Sequence, residues 1–471
     1  MKSRIRLVAG IGFLVLSLGA QALPPPVKQA IRSAKLPESS VAIWAQEVHA
    51  KDPLVSHNAQ VVMNPASVMK LLTTYAGLDL LGPAFTWKTE VYTKGERQGD
   101  ALNGDLMLKG YGDPKFTLEN LWLLLRNLRA RGLREIRGDL VLDRSYFSLP
   151  SHIPADFDGK ATRPYNVGPD ALLLNFHTVE LQFLPNEEKN LVGIAALPMP
   201  AELQIVNLLT LDGESCGDWR EKLDANVNDE GASAIAVFRG SYSADCAEKT
   251  YRIAVLNQNT YILGVFRQLW EELGGTLVGG VREESWSFGW DLLTEMGSLT
   301  LAEAVRDINK FSNNVMARQL FLTIGAEGFG ANGSLELSRE AIGNWLANKS
   351  LNFPELILEN GSGLSRKERI SAAHMGAILL SAWRSPLMPE FIASLPLAGL
   401  DGTMKRRLNG SGIAGQAHLK TGSLEGVKTV AGYVLDQKGR RIAVVCFVNH
   451  ANSANAKIVE DALLHWLHSR P

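Results

Sequence analysis

The apolar residues change spacing several times along the chain, and each change marks a structural boundary. Val41 to Val48 is a nearly continuous apolar run of strand length, and Gln60–Met63 is a second, shorter strand candidate. After Lys70 the spacing becomes helical, with Leu71, Leu72, Tyr75 and Leu78 on three- and four-residue steps until Gly82-Pro83. Asn64 followed by Pro65 is a start signal for that helix. From Phe85 to about Met296 the pattern is one of short strands, such as Leu106–Lys109 and Gly138–Leu142, divided by Gly, Asp and Pro turns. A helix from Thr117 to Gly132 interrupts them, with Leu121, Leu124, Leu125 and Leu128 as its apolar face. Helical spacing returns from Thr300 to Ile324, with a break near Lys310–Ser312, and continues over Leu335–Ala347 and Ser371–Trp383. The chain closes with a strand at Gln416–Thr421, a hairpin of Val427–Leu435 and Arg441–Val448, and a helix over Asn455–Leu467. Strands near both ends, enclosing a helical middle, predict an α+β fold whose antiparallel sheet recruits both termini and is flanked by helices. The expected partition is a discontinuous domain of residues 23–84 and 293–471, with 85–292 inserted as a strand-rich region of one or two small domains.

Length and composition narrow the classes. A chain of 471 residues is too long for one ordinary core. A formal net charge of -1 gives no basis for binding nucleic acid or an anionic membrane surface. Lys2, Arg4 and Arg6 precede the apolar stretch from Leu7 to Leu18, and Ala20-Gln21-Ala22 supplies small residues, the pattern of an export signal cleaved after Ala22. The apolar stretch falls short of the roughly 20 residues that span a bilayer, and no other segment is long enough, so no stable membrane span is expected after cleavage. In an oxidising compartment Cys216 and Cys246, both in polar sequence, could pair, whereas Cys446 reads as a core hydrophobe in a strand. No Cys/His spacing suggests a metal site, and no cofactor is implied.

Three short motifs carry chemistry. Ser67-Val68-Met69-Lys70 is the chain's one Ser-x-x-Lys and lies at a helix start, where i and i+3 share a face. A serine needs a base to take its proton, and a neutral amine one turn away is a candidate. Ser312-Asn313-Asn314 sits at the helix break, where a hydroxyl and a carboxamide can face one crevice if the backbone there leaves the helix. Lys420-Thr421-Gly422-Ser423 ends a strand. Its amine and two hydroxyls suit a carboxylate, and Gly422 allows an extended peptide to approach the strand edge. His418, two residues before Lys420, shares its strand face and is expected to be structural.

Each motif alone is common, as a capped helix or a strand end. Together and in this order they form the set found in penicillin-binding proteins and serine β-lactamases. The wider sequence resembles the D-alanyl-D-alanine carboxypeptidase/endopeptidase family, the class C low-molecular-mass penicillin-binding proteins. The resemblance rests on Pro65–Lys70, Gly110-Tyr111-Gly112-Asp113-Pro114, Gly138–Asp143 and Pro169–Phe176, and on Asn360-Gly361-Ser362-Gly363-Leu364-Ser365-Arg366, Asp401–Met404 and Lys420–Leu424. The 245-residue interval from Ser67 to Ser312 also suits that family, whose catalytic domain carries a large insertion.

The resemblance implies a β-lactamase/transpeptidase-like fold and a periplasmic enzyme acting on peptidoglycan stem peptides, with β-lactams as covalent inhibitors. It casts Ser67 as nucleophile, Lys70 as base, Ser312 as proton relay and Asn314 as a holder of Lys70 and the substrate amide. The backbone N–H groups of Ser67 and Ser423 would form the oxyanion hole, and Lys420, Thr421 and Ser423 would meet the terminal carboxylate. Asp143, Phe147 and Leu424 are expected to line the pocket for the stem-peptide side chain, although Asp143 also reads as a turn-capping carboxylate. The competing readings are an exported serine β-lactamase, separated by rapid turnover of penicillin, and a non-catalytic wall-binding protein on the same fold.

Overall fold

The computed structural model describes residues 23–470, so the expected export signal at residues 1–22 lies outside the described residues. A five-stranded antiparallel sheet holds the two ends of the chain together. Its strands are β1 (Val41–Glu47), β2 (Val55–His57), β3 (Ala417–Leu424), β4 (Val427–Leu435) and β5 (Arg441–Asn449), in the order β3-β4-β5-β1-β2. The first strand pairs with the last along its full length, from Val41 opposite Val448 to Glu47 opposite Ile442. Both faces of this sheet are covered, which is why β1 opens with the apolar run Val41–Ala45. Ile43 and Ala45 face the helices Pro25–Ser33 and Lys457–His468. Ala42 and Trp44, on alternate positions, face the larger helical layer.

That layer contains α1 (Lys70–Leu81), α2 (Leu301–Phe311) and α3 (Asn314–Phe329), with Leu335–Asn348 and Ala372–Arg384 packed around them. Every residue of α1 from Lys70 to Leu78 is buried, as is every residue of α3 from Val315 to Ala326. Helices buried on all sides belong at the centre of a layer. The turn before α1 differs from the expected helix start. Ala66–Met69 forms a 3-10 turn, and the α-helix begins at Lys70. Strand β3 runs to Leu424, so Gly422, Ser423 and Leu424 belong to the strand rather than to a turn beyond it.

Thr86–Gln98 leads into the strand-rich region and Asp291–Thr300 leads out of it. The two pair antiparallel, with Thr86 opposite Thr300, so the chain leaves and returns at one place. They belong to a seven-stranded sheet, beyond which lie two three-stranded sheets built from residues between 179 and 253. Leu124 and Leu128 of the helix Leu118–Ala130 pack with Phe183, Phe238, Phe266 and Trp270 in a core separate from the two beside β1–β5. Cys216 and Cys246 are disulfide-bonded across the edge of this region, while Cys446 is free and buried in β5.

Candidate active site

The turn that carries Ser67 is held by polar side chains on both sides. Asn64 Oδ1 accepts the Ala66 N–H at 2.8 Å, Asn64 Nδ2 donates to the Ser365 carbonyl at 2.8 Å, and Asn449 Oδ1 accepts the Asn64 N–H at 2.8 Å. These bonds hold Ala66 at a φ of 46°, a left-handed conformation that a residue with a Cβ rarely adopts. The result places the Ser67 hydroxyl one turn from the Lys70 amine.

Lys70 is fully buried, and its Nζ has three neighbours. It lies 3.0 Å from Ser67 Oγ, 2.6 Å from Asn314 Oδ1 and 2.5 Å from the Ser362 carbonyl. Two of these, the carboxamide oxygen and the peptide carbonyl oxygen, can only accept. A neutral amine satisfies both with its two N–H groups and turns its lone pair to the third neighbour, a hydroxyl able to donate. Burial above all, and then the charge of Lys420, hold Lys70 well below the ordinary lysine range. Arg318 acts in the same direction and Glu368 against it.

The break between α2 and α3 supplies the next group. Ser312 adopts φ 56° and ψ 37°, ending α2 in the left-handed conformation, and Asn313 caps α3 by accepting the Met316 N–H. The change of direction puts the Ser312 hydroxyl and the Asn314 carboxamide on the same crevice, which a continuous helix would not do for residues two apart. Ser312 Oγ accepts from Lys420 Nζ at 2.7 Å, and the same ammonium donates to the Thr421 carbonyl at 2.7 Å. Lys420 is also fully buried, and burial brings its pKa down to about 7.

Strand β3 is an edge of the sheet and passes directly beside the serine turn. A Cβ on Gly422 would fall 2.3 Å from Thr429 Oγ1 and 2.9 Å from both the Pro65 carbonyl oxygen and the Ser67 nitrogen, so only glycine permits this approach. Half-buried Thr421 donates to Thr403 Oγ1 at 3.0 Å, and exposed Ser423 accepts from Lys428 Nζ at 2.8 Å. An edge strand with hydroxyls and amines at its end offers main-chain pairing to an extended peptide and donors to an anionic terminus. Among the described residues no cluster of three or more His, Cys, Asp or Glu side chains could hold a metal ion.

The structure therefore gathers Ser67, Lys70, Ser312, Asn314, Lys420 and Gly422 in one place, with Thr421, Ser423 and Leu424 along the adjoining strand. It treats the two inserted residues differently. Asp143 is buried in the strand Leu140–Asp143, where its carboxylate accepts the Ser145 and Trp286 N–H groups and the Ser145 hydroxyl, and pairs with Lys109 at 3.0 Å. Leu142 and Arg144 on either side of it line the neighbouring cavity, which Asp143 itself does not border. Phe147 lies over Gly112 and packs with Ala171 and Leu322. It lines a cavity of about 700 Å³ together with Arg144, Asp170, Arg318 and Asn360, a space that none of Ser67, Lys70, Ser312 or Lys420 borders. Sequence reasoning missed the Ser362 carbonyl, Thr403 and Lys428. The first is a backbone group and leaves no trace in residue type, whereas Thr403 and Lys428 are ordinary surface residues until the strands are paired.

Known proteins resemble the chain over most of its length. The chain is 27% identical over 420 residues to D-alanyl-D-alanine carboxypeptidase DacB of Haemophilus influenzae, covering 88% of this chain and 86% of that one. It is 30% identical over 429 residues to a D-alanyl-D-alanine carboxypeptidase of Actinomadura sp. (strain R39), covering 88% and 78%. The crystal structure of penicillin binding protein 4 from Haemophilus influenzae superimposes with a TM-score of 0.76 at 24% identity, over 94% of this chain and 99% of that one, which shows a shared fold. The family model for D-Ala-D-Ala carboxypeptidase 3 (S13) matches residues 25–470, so the chain belongs to that family of serine peptidases.

Proposed function

We propose that this protein is an exported D-Ala-D-Ala carboxypeptidase that also cuts peptidoglycan cross-links, works through an acyl-enzyme on Ser67, and is acylated there by β-lactams. The observation that carries the reading is the paired arrangement of Ser67 Oγ–Lys70 Nζ–Asn314 Oδ1 and Lys420 Nζ–Ser312 Oγ at the edge of β3.

In this reading the stem peptide adds to the free edge of β3, with its terminal carboxylate toward Lys420, Thr421 and Ser423. Neutral Lys70 takes the Ser67 proton as Oγ attacks the carbonyl between the two D-alanines. The N–H groups of Ser67 and Ser423 receive the oxyanion as its charge develops. The C–N bond breaks, and the departing amine of D-alanine takes, relayed through Ser312, the proton that Lys70 received from Ser67, which leaves Lys70 neutral again. Water, deprotonated in turn by Lys70, releases the shortened peptide from Ser67. A β-lactam offers a corresponding amide, strained by its ring, and a carboxylate, but its leaving group stays attached and blocks the water. The Haemophilus influenzae protein of the same fold has been crystallised with a β-lactam. Asp143, Phe147 and Leu424 are assigned to recognition of the stem-peptide side chain. Residues 23–84 and 293–471 form the catalytic domain and 85–292 the inserted region. The protein acts outside the cytoplasm once the leader is removed after Ala22, and no described helix is long and apolar enough to cross a membrane.

Product analysis by mass spectrometry on defined muropeptides tests the proposal. A pentapeptide monomer should lose one alanine and a cross-linked dimer should yield monomers, while Ser67→Ala leaves both intact. Stem peptides bound but unprocessed would overturn it in favour of a wall-binding protein, and many turnovers of penicillin per protein would favour a β-lactamase.

A further inference from the structure

Lys70 owes one of its three contacts to a backbone carbonyl, and a single buried carboxylate organises the loop that delivers it. Glu368 is completely buried. Its Oε1 accepts three successive backbone N–H groups, from Glu359 at 3.3 Å, Asn360 at 3.0 Å and Gly361 at 3.0 Å. Three converging donors on one oxygen curl the chain, and the next residue, Ser362, then points its carbonyl at Lys70 Nζ from 2.5 Å. The Gly361 carbonyl accepts from Thr73 Oγ1 at 2.7 Å, one turn further along α1. Gly363 lies so close to the serine turn that a Cβ there would meet the Ala66 carbonyl oxygen at 1.9 Å. The loop therefore clamps both the nucleophile's turn and the base's helix, and its shape depends on Glu368. The second carboxylate oxygen, Oε2, is buried with no hydrogen-bond partner among the described residues.

The charges around the base point the same way. Lys420 faces Lys70 from β3 and Arg318 from α3, and both disfavour its ammonium form. Arg318 donates to the Val167 carbonyl at 2.8 Å and makes no ion pair with a carboxylate among the described residues. Glu359, at the start of the same loop, is taken up by Ser365 Oγ at 2.5 Å and Lys367 at 3.0 Å. Glu368 is thus the acidic group that acts on Lys70 against the two cations. Burial raises Glu368, while its three N–H donors and the charge of Lys70 favour the ionised form.

We propose that Glu368 is a positioning residue for the acylation base: it folds the 359–363 loop onto Lys70 and Ser67, and its charge offsets Lys420 and Arg318. This rests on the acyl-enzyme reading above and names a residue that acts through Lys70 rather than on substrate. Without the clamp the Lys70 lone pair loses its direction, and displacements of the order of 1 Å at a reacting group cost about 10²-fold in rate.

The test is the pH profile of acylation of the full chain by a fluorescent penicillin, measured per titrated active site, for wild type, Glu368→Gln and Glu368→Ala. Glutamine keeps the accepting oxygen and removes the charge. Its acid limb should move to lower pH by about 1 unit, because losing a neighbouring negative charge makes Lys70 easier to deprotonate. Alanine removes both and should lose about 10²-fold in rate at every pH. A merely structural role predicts fewer active sites and a lower Tm, with an unchanged profile for the sites that remain. A Glu368→Gln limb that stays in place or moves up overturns the inference, and decides the matter even if the alanine variant does not fold. No adduct in wild type would sink the acyl-enzyme reading and this inference together, whereas a wild-type adduct with an unmoved limb sinks this inference alone.

Discussion

Replacing Gly422 with alanine probes the distance between β3 and the serine turn. The added Cβ would lie 2.3 Å from Thr429 Oγ1, about 1 Å inside ordinary contact. Thr429 cannot easily withdraw. It is fully buried, and its hydroxyl donates at 2.8 Å to the Pro65 carbonyl, just ahead of the turn that carries Ser67. On the other side the Cβ meets the Pro65 carbonyl oxygen and the Ser67 nitrogen at 2.9 Å. The strand must therefore move away from the turn by about 1 Å or break the Thr429–Pro65 bond. Overpacking of this kind costs about 1–3 kcal/mol. A shift of that size between the nucleophile and the strand that presents substrate costs about 10²-fold in rate. The assay is the second-order rate constant for acylation by a fluorescent penicillin, with Tm measured in parallel. Thr429→Ala removes the obstructing hydroxyl, so Gly422→Ala in that background should recover part of the lost rate. A wild-type rate for Gly422→Ala, or the same deficit with and without Thr429, would refute the argument that close approach is the reason for glycine here.

Other perturbations have expected signs. Asn314→Asp places a carboxylate where the carboxamide oxygen now lies 2.6 Å from Lys70 Nζ, which should raise the lysine by about 1–3 units and move the acid limb of acylation to higher pH, opposite to Glu368→Gln. Lys420 falls to about 7 in the folded protein from an unfolded value near 10.5, so between those pH values the unfolded chain binds more protons and this group makes stability rise with pH. Urea unfolding of wild type against Lys420→Met, at pH 7 and pH 9, should show a smaller rise for the variant. Cys216→Ser with Cys246→Ser opens a loop of 30 residues and should cost about 3.5 kcal/mol by chain entropy, while acylation of the folded fraction stays near wild type. Ser312→Ala removes a hydroxyl acceptor of the Lys420 ammonium and should slow turnover of stem peptides more than it changes Tm.

Much of the sheet and of the site is legible in the sequence because the signals are local. β1 betrays its two buried faces by the consecutive apolar residues Val41–Ala45, and Ser67 and Lys70 are one helical turn apart whatever surrounds them. The Ser312 break is visible because two apolar helical patterns fail to join in phase. Other features depend on partners far along the chain. The partners that hold the Asp143 carboxylate, Lys109 and the Trp286 backbone, leave no local mark, and only tertiary structure brings them together. The Ser362 carbonyl has no residue-type signature at all, and Glu368 looks like one more charge in Arg366-Lys367-Glu368-Arg369 until its burial is seen. The helix start shifts to Lys70 because Asn64 ties down the preceding turn from three directions, a tertiary restraint that outweighs capping propensity.

The central claim is that Ser67 is the nucleophile, activated by Lys70 within a crevice closed by Lys420. Its most direct test is peptide mapping of the protein after brief exposure to penicillin. The account predicts one added penicilloyl mass, held as an ester on the peptide containing Ser67 and missing from Ser67→Ala and Lys70→Met. An adduct on another residue, or undiminished labelling of Ser67→Ala, would contradict it.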